Sequence, residues 1–175
     1  MEARFISGCR FREDYFIFAV KIEMRKTLAF LLFSLLFSIQ ISAQTFPLEQ
    51  LKGFNKLTMD EFKKEMKQLK FKFYDRTEGL SFVVIEYDSP DYTSKIGKFE
   101  YTEEKSEDRI EFEFKDRKEY NQYLKLILAD QYKETEKGKI ITKEPYVDYY
   151  RNKEHIRLIL PKTGESSPYT IIVFK

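Results

Sequence analysis

One order of elements runs through this sequence twice, about 60 residues apart: an amphipathic helix followed by three short strands. Thr58 opens the first helix. Its hydroxyl can satisfy orphan N–H groups, and Glu61 three residues on completes a T-x-x-E capping box. Met59, Phe62, Met66 and Leu69 then form one apolar stripe, with Asp60, Lys63, Lys64, Lys67 and Lys70 on the wet side. Leu80 to Tyr87 is apolar on both faces and reads as an interior strand, broken by Asp88-Ser89-Pro90-Asp91. Ile96 to Thr102 and Arg109 to Lys115 follow. In the latter, Ile110, Phe112 and Phe114 alternate with Glu111, Glu113 and Lys115, the pattern of a sheet with one dry and one wet face.

Asp116 caps the second helix, whose stripe is Tyr120, Tyr123, Leu124, Ile127 and Leu128, and Gly138 reads as the turn beyond it. Lys139 to Tyr150 is strand-like, but Pro145 cannot donate to a ladder and so places it at an edge or splits it. His155 to Leu160 and Tyr169 to Phe174 complete the unit. At a separation of 61, Met59, Phe62, Met66 and Phe71 correspond to Tyr120, Tyr123, Ile127 and Tyr132. At 60, Asp88 corresponds to Asp148, Ile96 to Ile156, and Phe114-Lys115 to Phe174-Lys175. Short connections favour antiparallel neighbours. The expected fold is therefore α+β: two α-β-β-β units, about 58–115 and 116–175, forming one antiparallel sheet with two helices on one face. Gln44 to Leu57 is read as a lead-in whose Phe46, Leu48, Leu51 and Phe54 pack back onto the domain.

The domain begins late because Met24 to Ala43 has the parts of an export signal: Arg25 and Lys26, the apolar run Leu28 to Phe37, and the small pair Ser42-Ala43. The apolar run is about half the roughly 20 residues that a spanning helix needs, so cleavage before Gln44 is expected, leaving no stable membrane span. Residues 1–23 read as an upstream extension from a mis-called start. The expected location is periplasmic or secreted. Residues 1–43 hold six of the 31 Lys and Arg and four of the 29 Asp and Glu, so 25 of each sign remain beyond them. That balance lacks the cationic surplus that nucleic-acid binding requires, and nucleic acid is not an expected partner.

The inventory for chemistry is short. Cys9 lies in the upstream extension and His155 is the one histidine, so beyond the leader a His/Cys zinc site and a thiol nucleophile have no residues to use. No phosphate-binding glycine loop, H-E-x-x-H or EF-hand spacing occurs, and no cofactor is expected. Glu103, Glu104, Glu107 and Asp108 read as a solvated hairpin tip. Carboxylates alone can support glycoside hydrolysis, which stays open as an alternative without a nominated pair.

The tandem helix–three-strand order over residues 58 to 174 resembles the β-lactamase inhibitor protein family and, more distantly, small envelope assembly lipoproteins. The resemblance implies an exported, non-enzymatic binding or inhibitory module, or an assembly factor, with a protein partner. The family's paired cysteines and any lipobox are absent, so no functional residue carries over. The residues themselves nominate the sheet face away from the helices: Glu111, Glu113, Lys115, His155 and Arg157, flanked by Tyr146, Tyr149 and Tyr150. Tyrosine is favoured at contact surfaces, and Tyr149 and Tyr150 are the expected anchors.

Overall fold

The computed structural model describes residues 46–103 and 107–175. The leader, the upstream extension and the central part of the Glu103 to Asp108 loop lie outside the described residues. Chain order is α1 (Leu48–Lys56), α2 (Met59–Gln68), β1 (Lys72–Glu78), β2 (Phe82–Asp88), β3 (Lys95–Tyr101), β4 (Arg109–Phe114), α3 (Arg117–Ala129), β5 (Lys133–Lys139), β6 (Pro145–Arg151), β7 (Glu154–Ile159) and β8 (Tyr169–Phe174). The eight strands form one antiparallel sheet in the order β1-β2-β3-β4-β8-β7-β6-β5.

The α+β class, with helices packed against an antiparallel sheet, is as the sequence implies. Each half gains a strand. β1 (KFYDRTE) and β5 (KETEKGK) carry no apolar alternation because they are the two edges of the sheet, where almost every side chain meets water. Charged edge strands resist pairing with other chains. Pro145 begins β6, opposite Lys139 at the end of β5, so the strand read from Lys139 to Tyr150 is shorter than its pattern suggests: residues 140–144 turn the chain between β5 and β6. Gly138 lies within β5 and not in a turn. A Cβ there would stand 2.7 Å from the Tyr146 hydroxyl, so the residue must be glycine-sized for the cross-strand tyrosine to lie over it.

The lead-in segment is a helix, α1. Gly53 and the lack of a side-chain cap at Pro47 hide it in the sequence, while burial of Leu48, Leu51 and Phe54 against β4 and β8 forms it. Phe46 packs with them, within 5.1–5.3 Å of the rings of Phe54, Phe71 and Phe112. The Thr58 capping box is present, with Thr58 N–H donating to Glu61 Oε2 at 2.9 Å. Asp116 caps α3 through the N–H of Lys118 at 2.8 Å.

The core lies between the helices and one sheet face: Phe62 and Met66 of α2 and Tyr123 and Ile127 of α3 against Ile85, Ile96, Ile110, Phe112, Phe114, Ile156, Leu158, Ile171 and Val173. Tyr123 donates from its hydroxyl to the carbonyl of Phe46 at 2.5 Å, tying α3 to the lead-in. Leu128, assigned to the α3 stripe from its spacing, is half exposed on the outer surface. All three described helices serve this one core, and none of the described residues forms a helix on the opposite face of the sheet.

Candidate functional site

Strand alternation and ladder register lay the helix-free face out as parallel rows of side chains. The first row runs Val84, Phe99, Arg109, Phe174 and is continued by His155, which pairs with Tyr150. A second runs Glu86, Gly97, Glu111, Ile172, Arg157, Asp148. The third is Asp88, Lys95, Glu113, Thr170, Ile159, Tyr146. Glu111, Glu113, Tyr146, Tyr150, His155 and Arg157, all nominated from sequence, share this face.

Tyr149 does not. It points to the opposite side of β6, is 4 % exposed, and belongs to the core with Ile156 as its ladder partner. Its assignment as a surface anchor is therefore corrected: successive residues of a strand face opposite ways, so Tyr149 and Tyr150 cannot share a surface. Burial accordingly pushes the Tyr149 hydroxyl up to about 12.

The first row is a stack. The His155 ring lies between Tyr150 and Phe174, with centroids at 4.2 and 3.9 Å and planes within 9°. Along the same row the Arg109 guanidinium covers Phe99 at 4.3 Å while its Nε donates to Glu111 at 2.5 Å. In the second row Arg157 forms a two-pronged pair with Asp148, both bonds 2.7 Å, and lays its guanidinium over Tyr146 at 3.9 Å. Planar guanidinium suits both contacts at once. Asp148 is 2 % exposed; burial alone would raise its pKa, but the Arg157 fork and the nearby His155 outweigh burial and hold it below the usual carboxylate range. His155 Nε2 is 3.1 Å from Asp148 Oδ1. Tyr146 donates its hydroxyl to Glu136 of β5 at 2.7 Å.

Arg109, Glu111, Tyr146, Arg157 and Phe174 floor a shallow concavity of about 520 Å³, bounded on one side by the β5–β6 loop with Ile141 fully exposed at its tip. Toward the other half of the face, Glu86 and Glu113 are pushed up in pKa first by burial and then by neighbouring carboxylates, against the lowering effect of Lys95. Lys95 stands 3.9 Å from Glu86 and over the Tyr74 ring at 3.3 Å.

Sequence reasoning missed Arg109, Asp148, Phe99 and Phe174. Two of them were within reach, because period two from Tyr146 puts Asp148 and Tyr150 on one face and excludes Tyr149, and period two from Glu111 includes Arg109. The cross-strand neighbours Phe99 and Phe174 needed the register. Among the described residues, no three His, Cys, Asp or Glu are grouped to hold a metal ion, and no helix is long and apolar enough to cross a membrane. No family model, no curated protein and no solved structure matches this chain.

Proposed function

We propose that this chain is an exported, non-enzymatic module of the bacterial envelope that binds a protein partner through the helix-free face of its sheet. The observation that carries the reading is the row Tyr150–His155–Phe174, continued by Arg109 on Phe99, on a face that no described helix covers. Stacked rings and clamped guanidiniums are already held in place, so a partner would order few side chains on docking, and tyrosine with arginine is the composition of binding hot spots. The surface is broad and shallow, suiting a macromolecule. Export rests on residues 24–43. An intact mass beginning at Gln44 is the expected product, and a species retaining Leu28 to Phe37 in a detergent-requiring fraction would contradict it.

The test is differential capture from an envelope extract. A partner taken by the native protein should be lost with Tyr150→Ala, weakened by about 2 kcal/mol or more if this residue is a hot spot. It should be retained with Leu128→Ala, whose side chain is exposed on the outer surface of α3. An enzyme as the captured partner would favour inhibition, and an assembly component would favour scaffolding. A second reading, a carboxylate-based hydrolase, draws on Glu86 and Glu113, because a raised carboxyl is what a general acid requires. Glycan turnover abolished by Glu113→Gln, with no protein captured, would establish it instead.

A further inference from the structure

The second row of the helix-free face is built differently at its two ends. At one end Asp148 of β6 is paired in the ladder with Arg157 of β7; at the other, Glu86 of β2 is paired with Gly97 of β3, and Glu111 opposite Ile172 marks the centre between them. Each carboxylate therefore sits on the second strand from its edge of the sheet, with its ladder partner on the third. One end has an arginine and the other has no side chain in that place.

The two carboxylates differ accordingly. Asp148 takes both bonds of the Arg157 fork at 2.7 Å, its side chain is 3 % exposed, and its pKa lies below the usual range. The Glu86 side chain is 28 % exposed, and its one cation within ion-pair range among the described residues is Lys95, at 3.9 Å. Lys95 also lies over the Tyr74 ring and faces Glu113 across the ladder, so one lysine serves two carboxylates. Burial pushes Glu86 up in pKa; Lys95 opposes it, while Asp75, Glu111 and Asp88 push the same way as burial.

The missing cation has no ready source within the sheet. An arginine at 97 would have to shift the Phe99 ring, since a Cβ there would stand 3.2 Å from its edge. Arg109 is committed elsewhere, bonding Glu111 and the Tyr101 hydroxyl with its guanidinium over Phe99. A second cation for Glu86 has to approach from above the sheet.

We propose that the protein partner assigned to this face presents an arginine that pairs with Glu86 above Gly97, an inference that rests on that assignment and adds the partner's chemistry to it. The partner supplies from outside the cation that Arg157 supplies to Asp148 from within. Arginine fits because its planar fork bonds a carboxylate through two N–H groups at once, and a half-buried carboxylate is screened less than an exposed one.

Selection of short random peptides displayed on phage, with the immobilised protein as target, reads this preference. Beyond the leader the chain carries 25 residues of each charge sign, so bulk charge gives arginine no advantage. Selected peptides should carry arginine above its library frequency, and in fluorescence anisotropy Glu86→Gln should weaken one of them about tenfold. Replacing the peptide's arginine by citrulline, its neutral isostere, should cost as much, and both changes together little more than either alone. Glu86→Gln removes a charge that burial opposes, so its thermal transition should match or exceed the native one; if it does not, Glu86→Ala takes its place. No enriched peptide, enrichment without arginine, or full affinity for the citrulline peptide would overturn the proposal. In the envelope capture the two claims separate: a partner lost with Tyr150→Ala but held undiminished by Glu86→Gln leaves docking on the face intact and overturns the arginine pairing, whereas peptides that need Glu86, beside a capture indifferent to Tyr150→Ala, keep the pairing and remove the aromatic anchor.

Discussion

Asp148 shows how much one side chain organises on the helix-free face, because it is buried as a charge and depends on Arg157 to stay one. Its pKa lies below the ordinary value, so the stabilisation is complete above about pH 4, the unfolded value, and is lost as the pH falls through the folded value. Asp148→Asn should therefore cost about 2 kcal/mol at pH 7 by urea unfolding, with the gap to the native protein narrowing as the pH drops below 4. Glu113 has the opposite sign. Its pKa is raised, so its unfavourable contribution is absent below the unfolded value and fully present above the folded one. Glu113→Gln should gain stability relative to the native protein between pH 4 and pH 7, and no gain would mean that the carboxylate is not strained by burial. Tyr149 and Tyr150 provide the sharpest contrast: Tyr149→Ala opens the core and should cost about 3 kcal/mol, while Tyr150→Ala, at 40 % exposure, should cost under about 1 kcal/mol. The difference was legible in the sequence, since adjacent strand residues face opposite ways, whereas the pairing of Arg109 with Phe99 across two strands was not.

At the level of elements, local chemistry was readable wherever one segment carried its own signal. The Thr58–Glu61 box, the stripe of Phe62 and Met66, and the alternation of Ile110, Phe112 and Phe114 all appear as their residues imply. Thr58→Ala should destabilise the fold by about 1 kcal/mol in thermal or urea unfolding. Elements made by their neighbours were not readable. α1 exists because Leu51 and Phe54 are buried on β4 and β8, and the edge strands exist because β2 and β6 offer them a ladder. Both edge strands nevertheless carry a register shift at matching places, between Phe73 and Asp75 and between Glu134 and Glu136. The helices before them also end alike, with Lys70 and Gln131 at positive φ and the next residue bonding back to Met66 and Ile127. These pairs sit 61 residues apart, the separation found from the helix stripes. In the last strand the ladders give 61 as well, since Ile96 faces Phe112 while its counterpart Ile156 faces Val173, so the Phe114–Phe174 match at 60 is offset by one residue.

For the whole molecule, the order β1-β2-β3-β4-β8-β7-β6-β5 places the last strand of each half side by side at the centre. Residues from both halves therefore meet on the helix-free face, where Arg109 and Phe99 of the first join Phe174, His155 and Tyr150 of the second. This convergence could not be read from either half alone, because it depends on β4 pairing with β8. Oxidative footprinting of tyrosine and other oxidisable side chains, with and without the captured partner, is the most direct test of docking on this face. The account predicts that Tyr150 and Tyr146 lose reactivity in the complex, while Phe73 on the β1 edge and Leu128 of α3 keep theirs. Protection of Leu128 or of the β1 edge, with Tyr146 and Tyr150 unchanged, would contradict it.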